Sequence, residues 1–325
     1  MNSYDFNTKT YKYSEDSEII RNRKDKSVLI ITDCKEYQVP SKSLHPDVSF
    51  PEQVKCLSVY CEGDTGEYSC PDVPIDVFNN LVLFHNLQYL CVQGVTMEMK
   101  YWIEFARNSK CLKELYLEEN VNTGHDFFKF NEETLEILLK ISTLEKVTLK
   151  TLKINFFPKG PSNIKELNIN KYWKRYEGHD QFYENITQNL CTHTNLEILT
   201  LINCDLKEMM SKVTDNCIKL KELNWESTVD MDLFEKLLKM PKLEYIQISS
   251  LNLDRDLNFS QEFPTIQYLE IAPNYYNKNY DEFFEIKTFL VKLFKHCPNM
   301  KSCFFNKKGE EIEICRFARV KKKLN

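Results

Sequence analysis

The chain has 325 residues, with 43 Lys+Arg against 48 Asp+Glu and a net charge of −5. Hydrophobic residues make up 42% and aromatics 13%, enough apolar material for a large core, which excludes disorder of the whole chain. Seven Gly and 11 Pro exclude collagen-like and low-complexity architectures and leave few residues for phosphate-cradling loops.

Residues 1–25 (MNSYDFNTKTYKYSEDSEIIRNRKD) are polar and mixed in charge, without the basic, apolar and small-residue succession of a secretory signal. They read as a disordered N-terminal tail. Residues 26–53 read as an N-terminal cap, with the apolar run SVLIITDC at 27–34 as a capping strand. Pro40, Pro46 and Pro51 break any helix in the rest of that segment. No run approaches the eighteen or more apolar residues of a membrane span. Twelve Cys without a secretion signal argue for reduced thiols, so the expectation is a cytoplasmic protein, with the nucleus as alternative.

From residue 54 to 306 one phrase recurs: apolar, then Lys/Glu/Gln, any residue, apolar, any residue, apolar. It reads VKCLSV at Val54, LQYLCV at Leu87, LKELYL at Leu112, LEKVTL at Leu144 and IKELNI at Ile164. It continues as LEILTL at Leu196, LKELNW at Leu220, LEYIQI at Leu243, IQYLEI at Ile266 and MKSCFF at Met300. Successive copies lie 33, 25, 32, 20, 32, 24, 23, 23 and 34 residues apart. Several follow a Cys, Asn or Thr, as at Cys111, Asn195 and Asn299. Apolar residues at the fourth and sixth places give the alternation of a short strand with one buried face.

The segments between phrases carry a helical period. Met99, Trp102, Ile103 and Ala106 form one stripe, Phe182, Ile186 and Leu190 a second, and Ile286, Leu290, Leu293, Phe294 and Cys297 a third. Thr96, Asn131, Asp230 and Asp281 stand where N-caps would, and Pro241 and Pro298 stop two of the helices. Strand, helix, strand at this spacing requires parallel strands with right-handed crossovers, and units too small to bury their own faces must stack into a solenoid.

At this point the chain resembles the leucine-rich repeat family. Leu196, Leu199, Leu201, Cys204 and Leu206 fit L-x-x-L-x-L-x-x-(N/C)-x-L, and the copy at Leu112 has Asn120 at the N/C place. The period is irregular and most copies lack the Asn or Cys. The resemblance implies an α/β horseshoe of about ten repeats over 54–306, with a parallel sheet on the concave face and helices on the convex face. Residues 307–325 are then a C-terminal cap and basic tail. The subclass it is most similar to is the irregular, cysteine-containing one seen in ribonuclease-inhibitor-like and F-box/leucine-rich-repeat proteins. No F-box is recognisable.

No P-loop, dinucleotide-binding glycine pattern, H-E-x-x-H, G-x-S-x-G or C-x-x-C occurs, so an enzyme is not expected. His125-Asp126 and His179-Asp180 are adjacent pairs that read as loop or cap residues rather than dyads. Cys56, Cys61, Cys70 and His85 fall within thirty residues, and Cys191 and His193 stand near Cys204; zinc is the sharper reading of each group and buried thiols the plainer one. The expectation is no metal and no cofactor. From Lys301 onward eight Lys/Arg face Glu310, Glu311 and Glu313, which reads as a solvated cap and tail, with a nuclear address as alternative; the overall charge of −5 argues against nucleic acid. Ile312 and Ile314 leave a final strand open as an alternative.

The residues between the buried ones on each strand face outward, the natural recognition surface of such a sheet. Two groups combine tyrosine with carboxylate: Tyr89, Glu114, Tyr116, Glu118 and Glu119, and Glu222, Glu226, Tyr245, Tyr268 and Glu270. Tyrosine offers contact area at small entropy cost, and carboxylates select a basic surface. The expected function is a monomeric, non-enzymatic scaffold that binds a partner protein through this face. A substrate-recognition adaptor of a ubiquitin ligase is the alternative that the F-box resemblance implies, and a zinc-binding module is a further one.

Overall fold

The computed structural model describes residues 8–14, 17–22, 28–32, 55–60, 84–93, 99–118, 132–150, 157–160, 162–170, 188–202, 204, 207–253, 261–271, 281–307 and 310–315. They divide between two compact units, Met1–His193 and Thr194–Asn325. Unit 1 contains strands β1 (Thr8–Ser14), β2 (Ser17–Asn22), β3 (Val28–Thr32), β4 (Cys56–Tyr60), β5 (Tyr89–Gln93), β6 (Glu114–Glu118), β7 (Lys146–Lys150) and β8 (Glu166–Asn170), with helices α1 (Met99–Asn108) and α2 (Glu132–Leu139). Unit 2 contains β9 (Ile198–Ile202), α3 (Lys207–Asn216), β10 (Glu222–Asp230), α4 (Met231–Leu238), β11 (Tyr245–Asn252), β12 (Tyr268–Ile271), α5 (Asp281–His296), β13 (Ser302–Lys307) and β14 (Glu310–Cys315).

In unit 1 each strand pairs with the next in chain order, antiparallel from β1 to β3 and parallel from β3 to β8. Unit 2 repeats the scheme, parallel from β9 to β13, with β14 returning antiparallel on β13. This is a mixed α/β architecture of parallel strands stacked in sequence order, the arrangement of a repeat solenoid.

Every one of the ten phrases starts a strand at its third residue, from Cys56 in β4 to Ser302 in β13. Fourth-place residues line up as Leu57, Leu90, Leu115, Val147 and Leu167 in unit 1, and as Leu199, Leu223, Ile246, Leu269 and Cys303 in unit 2. All ten are buried. The first-place residues from Leu87 to Met300 are buried as well, so each phrase supplies its apolar row before and within the strand. Each such side chain is worth roughly 1.5–3 kcal/mol on burial, which decides the strand register.

The second place explains itself only in three dimensions. Its carbonyl accepts two N–H groups from the following phrase: Lys55 O from Gln88 and Tyr89, Lys113 O from Glu145 and Lys146, Glu244 O from Gln267 and Tyr268. The side chains of this column stand beside one another and alternate in charge, with Lys221 Nζ 2.7 Å from Glu197, Lys165 Nζ 3.2 Å from Glu145, and Gln267 donating to Glu244 over 2.6 Å. The Asn or Thr preceding a phrase bonds a backbone carbonyl of the previous coil, as Thr143 does to Leu112 O, Asn163 to Ser142 O and Asn299 to Pro264 O.

The helices follow the apolar stripes. On α1 Trp102 and Phe105 are the buried pair, while Ile103 and Ala106 are half-buried, so the stripe is rotated from the one expected. Helix α4 buries Met231, Leu233, Phe234, Leu237 and Leu238, and the Asp230 carboxylate caps it by accepting from Leu233 N over 2.9 Å. Ile286, Leu290, Leu293 and Cys297 of the expected third stripe are buried on and just after α5. Phe182, Ile186, Thr96 and Asn131 lie outside the described residues.

Both ends carry strands beyond the ten phrases. Within residues 1–25, expected as a tail, β1 pairs with β2 and β2 with β3, itself the expected capping strand. Thr, Tyr and Ile in TKTYKYS and SEIIRN favour strands despite the polar composition that hides them. At the other end, the open alternative is the one realised, and Ile312 and Ile314 lie within β14.

Candidate functional site

In unit 1 the outward rows read Tyr89, Glu114, Lys146, Glu166 and, one step further along the strands, Cys91, Tyr116, Thr148, Asn168. Within the expected acidic group, Glu118 is neutralised by its neighbours. Lys150 Nζ lies 2.7 Å from Glu118 Oε1, and the Tyr116 hydroxyl donates to Glu118 Oε2 over 2.5 Å. Lys146, opposite Glu114 in the ladder, is 2.7 Å from Glu166. Glu119 lies outside the described residues. Unit 1 therefore brings together Tyr89, Glu114, Tyr116 and Glu118, but with a lysine beside each carboxylate column.

Unit 2 is arranged otherwise. One ladder level carries Glu222, Tyr245, Tyr268 and Ser302 on four adjacent strands, and the next outward level carries Thr200, Asn224, Gln247, Glu270 and Phe304. The Tyr245 and Tyr268 rings tilt against each other with centroids 6.4 Å apart. The Tyr245 hydroxyl donates to Glu270 Oε2 over 2.9 Å. Burial, the hydrogen bond to Glu270, and the negative charges of Glu270 and Glu222 hold the Tyr245 hydroxyl well above the usual tyrosine value of 10, so it stays a neutral donor.

Glu222 is exposed and Glu226 half-buried at the irregularity in β10, and neither forms an ion pair among the described residues. Tyr268 is exposed, and Lys301 Nζ sits 5.1 Å from its ring centroid. That contact is a cation on an aromatic face, worth roughly 0.5–1 kcal/mol at an exposed site. Asn224 donates to Thr200 over 3.3 Å, while its amide oxygen has no partner among the described residues. The first of these levels thus combines two rings with a carboxylate that has no ion pair among the described residues, which suits cationic side chains.

The other candidates resolve differently. Among the described residues no three His, Cys, Asp or Glu side chains group as metal ligands. Cys56 is half-buried and His85 exposed, while Cys61 and Cys70 lie outside the described residues. His193 is fully engaged. Its Nε2 donates to Pro158 O over 2.9 Å, its Nδ1 accepts from Ser162 Oγ over 2.6 Å, and its ring meets Phe157 edge-on at 5.2 Å. A carbonyl can only accept, which fixes the proton on Nε2. Burial pushes the imidazole below its ordinary 6.5, an effect partly offset by the Pro158 carbonyl. Asn189 bonds Phe157 O, and Thr192 Oγ1 accepts from Gly160 N over 2.6 Å, so segment 188–193 binds segment 157–162 through three polar residues. Sequence reasoning missed this cluster; Gly160, where a Cβ would meet Thr192 O at 2.7 Å, was its one visible signal.

No protein-family model matches the sequence, and no curated protein matches it. Among solved structures, a structural-genomics target from Bacteroides fragilis is similar over 79% of this chain and 66% of its own, at 13% identity and a TM-score of 0.40. The Toll–Spatzle complex of Drosophila is similar over 91% of this chain and 47% of the matched chain, at 11% identity and a TM-score of 0.38. No helix among the described residues is long and apolar enough to cross a membrane.

Proposed function

We propose that this chain is a non-enzymatic leucine-rich-repeat scaffold whose strand face, in unit 2, holds a partner protein through a basic surface. One observation carries the reading: Glu222, Tyr245 and Tyr268 stand side by side on adjacent strands, with Glu222 in no ion pair among the described residues and the Tyr268 side chain exposed. In unit 1 Glu166 and Glu118 already pair with Lys146 and Lys150 and so offer a partner less. Tyrosines of this kind are the commonest energetic anchors of protein interfaces, and the carboxylates speed encounter with a basic surface.

Affinity capture tests this. Wild-type protein, Tyr245→Ala and Tyr116→Ala are compared for the same prey. Loss of about 2 kcal/mol, roughly thirtyfold in affinity, is expected for Tyr245→Ala and little change for Tyr116→Ala. A prey retained by Tyr245→Ala together with Glu222→Lys refutes the assignment of the face. Capture of no protein, combined with turnover of a substrate, refutes the function.

A further inference from the structure

The third places of four consecutive phrases in unit 2 form one ladder level, with Glu222 on β10, Tyr245 on β11, Tyr268 on β12 and Ser302 on β13. Strands lie about 4.8 Å apart, so Glu222 and Tyr268 flank Tyr245 at that interval. The 2.9 Å hydrogen bond from the Tyr245 hydroxyl to Glu270 Oε2 ties the Tyr245 ring to the strand that carries Tyr268, and the two rings meet at 46° with centroids 6.4 Å apart. The ring pair is set before any ligand arrives, which lowers the entropy that binding must overcome. Lysines next to the level are engaged: Lys221 pairs with Glu197 at 2.7 Å, and Lys301 Nζ stands 5.1 Å from the Tyr268 centroid. Glu222 and Glu270 have no ion pair among the described residues.

We propose that this level is a seat for a single arginine side chain of the partner, its guanidinium packed against the Tyr245–Tyr268 pair with its N–H edge toward Glu222. It rests on the reading of this face as the partner surface and names what the partner must bring.

Three properties select a guanidinium. The carboxylates of Glu222 and Glu270 repel an anionic side chain and attract a cation. Lys301 shows that the Tyr268 ring accepts a cation, and a guanidinium, planar and more weakly hydrated than an ammonium, loses less on leaving water to stack there. Its donors lie in the plane of the group, so one face covers a ring while the edge reaches a carboxylate; an ammonium brings a point charge without that face. The equivalent level of unit 1 reads Tyr89, Glu114, Lys146 and Glu166, which lacks the ring pair and carries a cation of its own.

Two charge-matched probes, the end-blocked peptides GRGRGRG and GKGKGKG, test the seat by titration into the isotope-labelled full-length chain, read as backbone amide shifts. The arginine peptide is expected to bind about fivefold tighter, the factor of one exposed cation–ring contact, with shifts centred on Glu222, Tyr245 and Tyr268. In Tyr268→Leu the two peptides should bind alike, Tyr268→Phe should restore the preference, and Glu222→Gln should weaken the arginine peptide severalfold. Equal affinities for the wild-type chain, a preference that survives Tyr268→Leu, or shifts confined to other strands overturn the proposal. Prey capture reads the proposed function separately: prey lost in Tyr245→Ala while the two peptides bind alike sinks only the arginine seat, and an arginine preference at these amides without captured prey sinks only the scaffold.

Discussion

Replacing His193 with Ala should cost about 3.5–6.5 kcal/mol, and the sum can be built from its surroundings. The side chain is 1% exposed and makes two hydrogen bonds, to Pro158 O and from Ser162 Oγ. Each is worth about 1 kcal/mol net, and the buried Pro158 carbonyl, left without its donor, adds about 1–3 kcal/mol. The edge contact with Phe157 adds about 0.5–1.5 kcal/mol. Urea unfolding followed by amide hydrogen exchange in segments 157–170 and 188–193 is the assay, because exchange reads unit 1 without assuming that both units unfold together. The same residue sets a pH dependence. Its folded pKa lies below the ordinary 6.5, so the folded state binds fewer protons than the unfolded one as pH falls through that value. Wild-type stability in unit 1 should therefore decline as pH falls below about 6.5, and this component should vanish in the variant. A loss under about 1 kcal/mol, or an identical pH slope in the two proteins, refutes the reasoning.

Gly160→Ala should destabilise unit 1 by about 1–3 kcal/mol in the same exchange assay, since its Cβ would press on the Thr192 backbone at 2.7 Å. Leu223→Ala, at a fully buried place between Leu199 and Ile246, should cost about 2–5 kcal/mol in unit 2 by urea unfolding. Asp230→Ala removes the cap of α4 and should cost about 1 kcal/mol, read as faster exchange of the Leu233 amide. Ultraviolet titration should show one tyrosine ionising above the usual 10. Glu270→Gln should lower that value only in part, because burial is the larger cause.

The strands were legible because three of six residues in each phrase are apolar by necessity, and burial of the first, fourth and sixth places leaves no other register. The Lys/Glu/Gln preference at the second place was visible as a pattern but not as a cause. Its pairing partners, such as Glu197 for Lys221, lie a whole repeat away. The same distance hid the neutralisation of Glu118 in unit 1, which Lys150 reaches from 32 residues downstream. Strands β1 and β2 escaped because their residues are strand-forming but polar, and composition speaks for solvation before it speaks for pairing. His193 reads against metals and loops in the sequence, while its actual partners, Pro158 O and Ser162 Oγ, carry no sequence signature.

The doubled carbonyl contacts join one phrase directly to the next, and the copies tolerate intervals from 20 to 34 residues. Such a backbone spine separates what must be invariant from what can drift. Genetic insertions between phrases would change the outline of a coil while leaving the alignment of every ribbon untouched, so peptide tags placed there should be accepted where the same tags inside a phrase would not.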